Sequence, residues 1–253
     1  MMPDKVILRV KRQAGPHEQP HWEDFEVPYS ERLNVIACLQ AVQRNPVNRM
    51  GQRTSAPVWD QCCLEEVCGA CTMIINGVVR QACSALVDEL TQPIVLEPMS
   101  KFPVVKDLVV DRSRLFEDLV KAKAWISLDG THNLGTGPKY SQEVQQLRYQ
   151  FARCMSCGCC LEVCPQYGQE RAFVGAAIIG QVNLFNLHPT GRMTADERLE
   201  VMSQPGGITD CGNAQNCVRA CPKEIPLTEG ISGVGRQMVG YGLRKFLTRS
   251  SKL

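Results

Sequence analysis

Residues 154–165 read CMSCGCCLEVCP, and residues 211–222 read CGNAQNCVRACP. Laid end to end, Cys154 falls on Cys211, Cys160 on Cys217, Cys164 on Cys221 and Pro165 on Pro222, while Cys157 meets Ala214. One cysteine phrase is written twice, and the second copy is a thiol short. Such a repeat implies a paired set of sites with unequal ligand supply. What those sites bind decides the architecture of the C-terminal half.

Composition narrows the choice. The chain has 253 residues, 14 cysteines and a formal charge of +2. So many thiols imply either a disulfide framework or the ligation of metal or cofactor. The N-terminus MMPDKVILRVKRQ has no apolar run before a cleavage site, so no signal peptide is expected. The cysteines bunch at 62–83, 154–164 and 211–221, which favours ligation. Near-neutral charge gives no electrostatic case for nucleic acid as a partner. The longest apolar stretch, AFVGAAIIG at 172–180, falls well short of the roughly 20 residues of a membrane span. Any membrane association is therefore expected to come through partners.

In the second group, Cys154, Cys157, Cys160 and Cys164 follow C-x2-C-x2-C-x3-C-P. This is the bacterial ferredoxin run, whose fourth cysteine ligates the other cluster of a two-cluster domain. Applied twice, that crossing gives Cys154, Cys157, Cys160 and Cys221 to a [4Fe–4S] cluster. The other site receives Cys164, Cys211 and Cys217 only, because Ala214 cannot bind iron. Three thiolates favour a [3Fe–4S] cluster. The alternatives are a decayed site, or a fourth iron held by water or a distant group.

The first group, Cys63, Cys68, Cys71 and Cys83, has the spacing C-x4-C-x2-C-x11-C. That is the plant-type pattern of a [2Fe–2S] cluster. Gly69 and Ala70 keep its loop small. Four thiolates also suit zinc, although zinc sites usually pair two C-x2-C units and this group has one. Cys62 and Cys159 are out of register and are expected not to bind. The four histidines, at 17, 21, 132 and 188, lie outside the cysteine groups, which argues against Rieske ligation.

Around these groups the patterning changes once. KVILRVKR and EDFEVPY alternate as half-buried strands do. NVIACLQAVQRN puts Val35, Leu39 and Val42 on one helical face behind an Asn34 N-cap. Asn76-Gly77 predicts a type I′ hairpin, and PIVLEP a further strand. The order implies a small twisted sheet packed on a helix. Beyond residue 108 the pattern is helical. Leu115, Phe116, Leu119 and Val120 form an apolar stripe expected to pack in a core, and Thr194 with Glu197 reads as a capping box. GISGVGRQMVGYG lacks the spacing and the preceding strand of a dinucleotide fingerprint. No acid–base constellation stands out, so substrate chemistry is expected on partners.

This order of three cysteine groups, with Ala214 at the gap and CPK at 221–223, resembles the iron–sulfur subunit of the succinate dehydrogenase and fumarate reductase family over nearly the whole chain. QRNPVN at 43–48, HPTG at 188–191 and CGNAQNC at 211–217 look most like its menaquinone-linked branch. The resemblance implies an α+β protein. Residues 1–108 would be a plant-ferredoxin-like β-grasp domain holding [2Fe–2S]. Residues 109–253 would be an all-helical, bacterial-ferredoxin-like domain holding [4Fe–4S] and [3Fe–4S]. It further implies a flavoprotein partner with covalent FAD that oxidises succinate, and a membrane-anchor cytochrome b partner at whose interface quinone is reduced. FAD and haem would sit on those partners only, and this chain at the cytoplasmic face of the cell membrane. A subunit of another flavoprotein assembly and a zinc-binding protein without redox role are the competing classes. The family's ubiquinone-linked members carry a tryptophan and a histidine where this chain has PQYGQ at 165–169 and Gly212. Tyr167 and Gln169 are therefore the nearest candidates for the quinone vicinity. The tail LRKFLTRSSKL carries Arg244, Lys245, Arg249 and Lys252 without an acid, a favourable basic helix end.

Overall fold

A computed structural model describes residues 4–127 and 140–250. Two units emerge: Met1–Arg112 with Met155–Glu162, and Ser113–Cys154 with Val163–Leu253. The chain thus does not divide at one point near residue 108, because the heart of the second cysteine run belongs to the first unit.

In the first unit, strands β1 (Lys5–Arg12) and β2 (His21–Pro28) pair antiparallel, with Leu8 opposite Phe25. Helix α1 (Val35–Arg44) starts where predicted, its Asn34 Oδ1 accepting from the Ala37 N–H at 2.8 Å. Strands β3 (Thr72–Ile75) and β4 (Val78–Gln81) form the hairpin. Asn76 and Gly77 take φ of 49° and 78°, as a type I′ turn requires. Strand β5 (Ile94–Glu97) lies parallel to β1 and antiparallel to β3, giving the order β2-β1-β5-β3-β4. Val35, Ile36, Leu39 and Val42 of α1 bury against Val6, Leu8, Val10, Ile94 and Leu96 of the sheet. Removing this apolar surface from water holds the grasp of sheet over helix. A ribbon of β6 (Val104–Lys106) and β7 (Val109–Val110) follows.

The second unit is helical: α2 (Ser113–Lys121), α3 (Gln142–Ala152), α5 (Ala176–Leu187), α6 (Ala195–Met202), α7 (Asn216–Arg219) and α8 (Leu227–Ser250). The intervening α4 (Cys159–Glu162) lies in the first unit. Helix α5 is its central element, with Ile178, Ile179 and Val182 packed against Leu199, Met202 and Val234. The glycines of GISGVG lie inside α8, where a Cβ on Gly230 would come within 2.7 Å of Phe151 and one on Gly233 within 2.8 Å of Asn183. Their role is close helix approach.

Two expectations are corrected here. Leu115 is buried, but Phe116 is 53 % and Val120 63 % exposed, so the α2 stripe is only partly core. Thr194 precedes α6, yet a 3₁₀ turn over Gly191–Thr194 runs straight into that helix. The Thr194 hydroxyl therefore turns back to donate to the Gly191 carbonyl at 3.2 Å, and Glu197 pairs with Lys123 at 2.6 Å, so no capping box forms. The basic tail is partly spent within the unit: Arg244 pairs with Asp196 and Lys245 with Glu200, each at 2.6 Å. Lys252 lies outside the described residues.

Candidate metal centres

The first cysteine loop is shaped to hold thiolate. Leu64, Glu66 and Gly69 take left-handed backbone, with φ of 61°, 56° and 69°. Alternating right- and left-handed residues turn successive N–H groups inward, a concavity that binds anions and many iron–sulfur centres. The N–H groups of Glu65, Val67 and Cys68 all donate to Cys63 Sγ, at 3.4, 3.3 and 3.3 Å, and Ala70 N–H donates to Cys68 Sγ at 3.4 Å. These donors, Glu65 foremost, lower the Cys63 thiol to about 7. Cys71, just before β3, and Cys83, beyond the hairpin, complete the set, and both are buried. Burial pushes the Cys71 thiol up to about 12. A thiolate there needs a compensating cation, which ferric iron would supply. The residues present thus fit a four-thiolate cluster.

The sequence repeat is also a backbone repeat. Two and four residues after Cys154, Ser156 and Gly158 have φ of 52° and 88°; two and four residues after Cys211, Asn213 and Gln215 have 51° and 59°. In each run a four-residue helix begins five positions after the first cysteine, α4 at Cys159 and α7 at Asn216. Side chains differ where the backbone does not, with Cys157 buried in one run and Ala214 exposed in the other.

In the second unit, Cys164, Cys211 and Cys217 line one cavity together with Ala214, Gln166 and Thr228. Burial raises the Cys217 thiol, and the nearby Cys164 and Cys211 add to the rise. Three sulfurs and a methyl group converge there, which fits a cluster with three protein ligands. Of the residues named for the quinone vicinity, Tyr167 is 1 % exposed under the Arg114 guanidinium, 4.6 Å from its ring centroid. Gln169 is exposed and does not line the cavity. The sequence analysis missed Gln166, whose Nε2 lies 2.6 Å from where a Gly212 Cβ would stand. Its signal was adjacency to Cys164-Pro165.

Within the first unit the two cysteine segments touch. A Cβ on Gly69 would lie 2.7 Å from Cys157 Cβ and 2.8 Å from its Cα. Gly69 therefore sets the closeness of the two ligand loops, and its carbonyl accepts from Thr72 Oγ1 at 2.7 Å and Arg112 Nη1 at 2.9 Å. The Glu162 carboxylate anchors the other end of α4, accepting from the N–H groups of Ser100 at 2.9 Å and Lys101 at 3.0 Å. The HPTG motif is a structural turn: His188 Nδ1 accepts from Thr190 N–H at 3.2 Å and Gly191 N–H at 3.3 Å.

Comparison with known proteins bears on what these loops hold. A 2Fe-2S iron-sulfur cluster binding domain model matches residues 7–117, and a 4Fe-4S dicluster domain model matches residues 150–225. The chain is 52 % identical to the succinate dehydrogenase iron-sulfur subunit of Bacillus subtilis (strain 168) over 237 residues, 94 % of each chain. This chain belongs to the succinate dehydrogenase and fumarate reductase iron–sulfur subunit family. Another member, the fumarate reductase iron-sulfur subunit of Mycobacterium tuberculosis, is 30 % identical across 97 % of this chain and 98 % of its own. A chain of the Mycobacterium smegmatis Sdh1 complex shares the fold, with a TM-score of 0.78 over 94 % of this chain and 97 % of its own, at 21 % identity. The family accounts for both architectures: a ferredoxin-like sheet unit carrying a [2Fe–2S] motif and a helical unit carrying a dicluster motif.

Proposed function

We propose that this chain is the electron-carrying subunit of a succinate:quinone oxidoreductase, joining a flavoprotein subunit with FAD to a membrane-anchor cytochrome b subunit where quinone, of the menaquinone class, is reduced. No helix among the described residues is long and apolar enough to cross a membrane. The chain would be held peripherally at the cytoplasmic face through its anchor partner. Succinate oxidation is favoured over fumarate reduction by the 52 % identity to a succinate dehydrogenase subunit, against 30 % to a fumarate reductase subunit.

When bound, the clusters supply one-electron carriers in the order [2Fe–2S], [4Fe–4S] and [3Fe–4S]. Cys63, Cys68, Cys71 and Cys83 would hold the first, in a loop whose backbone N–H groups already face sulfur. Cys154, Cys157, Cys160 and Cys221 would hold the second. Cys164, Cys211 and Cys217 would hold the third. Gly69 keeps the first two ligand loops at van der Waals distance, which suits passage of electrons between them. The observation that carries the assignment is the convergence of three thiols and the Ala214 methyl on one cavity. The test is purification of the native complex. Iron, acid-labile sulfide and three distinct cluster signals are expected with succinate-dependent quinone reduction. Zinc in place of iron, or a colourless preparation, would reject the assignment.

A further inference from the structure

Helix α8 carries two apolar faces, and its own unit covers one of them. Ile231, Val234, Met238 and Tyr241 recur at helical spacing and pack into the core of the helical unit. Polar contacts fasten the helix further along. Tyr241 Oη donates to the Glu200 carboxylate, and Lys245 and Arg244 pair with Glu200 and Asp196 of α6. On the opposite side, Val239, Leu243, Phe246 and Leu247 follow the i, i+4, i+7, i+8 spacing of a single stripe. All four are exposed, Phe246 at 72 %. A surface helix ordinarily turns one apolar stripe to its core and charged residues to water. Here the side turned away from the core is apolar, so core packing does not account for it. The charge around it has one sign. After Glu229 the sequence has Arg236, Arg244, Lys245, Arg249 and Lys252 and no acid. By helical spacing, positions 244 and 249 flank the stripe.

We infer that this outer face of α8 lies on an anionic lipid surface, with Val239, Leu243, Phe246 and Leu247 entering the headgroup boundary and the basic residues meeting lipid phosphates. A basic helix with Leu and Phe on one side is the pattern of helices that lie in the membrane interface without spanning it. A lipid occupant suits the stripe better than a protein one. The stripe runs about 12 Å along the helix and offers four apolar side chains, whereas a stable protein interface draws on roughly 20–30 residues a side. Bases on both flanks call for anions along both edges, which a charged lipid surface supplies. This contact adds to attachment through an anchor subunit, and it depends on no cluster ligand.

The test uses the native complex in its own membrane, with Phe246 replaced by the photo-crosslinker p-benzoylphenylalanine. Irradiation should attach lipid to the peptide that carries position 246. An adduct to another subunit, or to a second copy of this chain, overturns the inference. In parallel, the cluster-loaded full chain is floated with phosphatidylcholine vesicles, with and without phosphatidylglycerol. It should bind the anionic vesicles at least about tenfold more tightly than the neutral ones, and the advantage should shrink as salt is raised. Phe246→Ser combined with Leu247→Ser should weaken binding to the anionic vesicles about tenfold or more. The unfolding temperature and iron content of that variant should stay at wild type, because both side chains are exposed. Equal binding to the two kinds of vesicle, or unchanged binding in the double serine variant, overturns the inference and leaves the cluster assignment untouched.

Discussion

In the second cysteine run, left-handed Ser156 and Gly158 lead into a helix at Cys159; in the third, left-handed Asn213 and Gln215 lead into a helix at Asn216. The surroundings are opposite. Residues 157–160 are buried, whereas residues 212–215 are exposed. Two copies of one backbone therefore serve two situations. The covered copy has Cys157 against Gly69 and the other cysteine loop of its unit, which on the proposed function would suit an internal relay. The open copy has Gly212 and Ala214 exposed beside its three thiols, which on the same proposal would suit a station that hands electrons to a partner. What distinguishes the sites is the side chain at one position and what covers it.

The largest effects that sharpen this comparison come from the ligands. Cys157→Ala should remove the four-iron cluster and also impair assembly of the complex, because its loop is packed within the first unit. Cys217→Ala should remove only the three-iron cluster and leave the [2Fe–2S] signal intact. Iron content and low-temperature EPR separate the two outcomes. Equal loss of all clusters in both variants would mean that the loops are not independent sites.

Glycine substitutions come next. Gly69→Ala places a Cβ 2.7 Å from Cys157 Cβ, at a φ of 69°. Left-handed strain and overpacking together should cost roughly 2–4 kcal/mol, seen as a lower unfolding temperature. Gly212→Ala meets only the flexible end of Gln166, and should stay within about 0.5 kcal/mol of wild type. Similar losses at both positions would remove the distinction between covered and open loops. The smallest effect is expected for Gln215→Gly, which copies Gly158 into the third run. Relieving a left-handed side chain at φ 59° should raise stability by up to about 1 kcal/mol, with cluster content unchanged.

Local signals in the sequence transferred well to the structure. The Asn34 cap, the Asn76-Gly77 turn and the alternation of β1 depend on neighbours a few residues away, and the cysteine spacing depends on loop geometry alone. What spacing does not encode is which surface covers a loop. The packing of residues 155–162 with the sheet unit, and the contact of Gly69 with Cys157, join segments far apart in sequence. For the same reason, proximity to Cys164 in sequence does not show that Tyr167 is buried with Arg114 over its ring, or that Gln166 lines the cavity. Thr194 and Glu197 had the right spacing for a capping box, but the 3₁₀ turn before them had already taken the hydroxyl. Phe116 and Val120 fit a helical stripe wider than the face α2 buries. Periodicity sets the face, and the neighbours set how much of it is covered.

The central claim is that the side chain at position 214 selects the cluster held by Cys164, Cys211 and Cys217. The most direct measurement is the EPR spectrum and redox titration of the oxidised complex, wild type beside Ala214→Cys. Wild type should show the signal of an oxidised three-iron cluster. The variant should lose that signal, gain one iron per chain and show a lower potential at this site, since cluster type sets potential within a range of roughly −700 to +450 mV. Its transfer to quinone should slow more than succinate oxidation assayed with an acceptor that takes electrons at the flavin. A wild-type complex without the three-iron signal, or a variant that gains iron with its potential unchanged, would contradict the account.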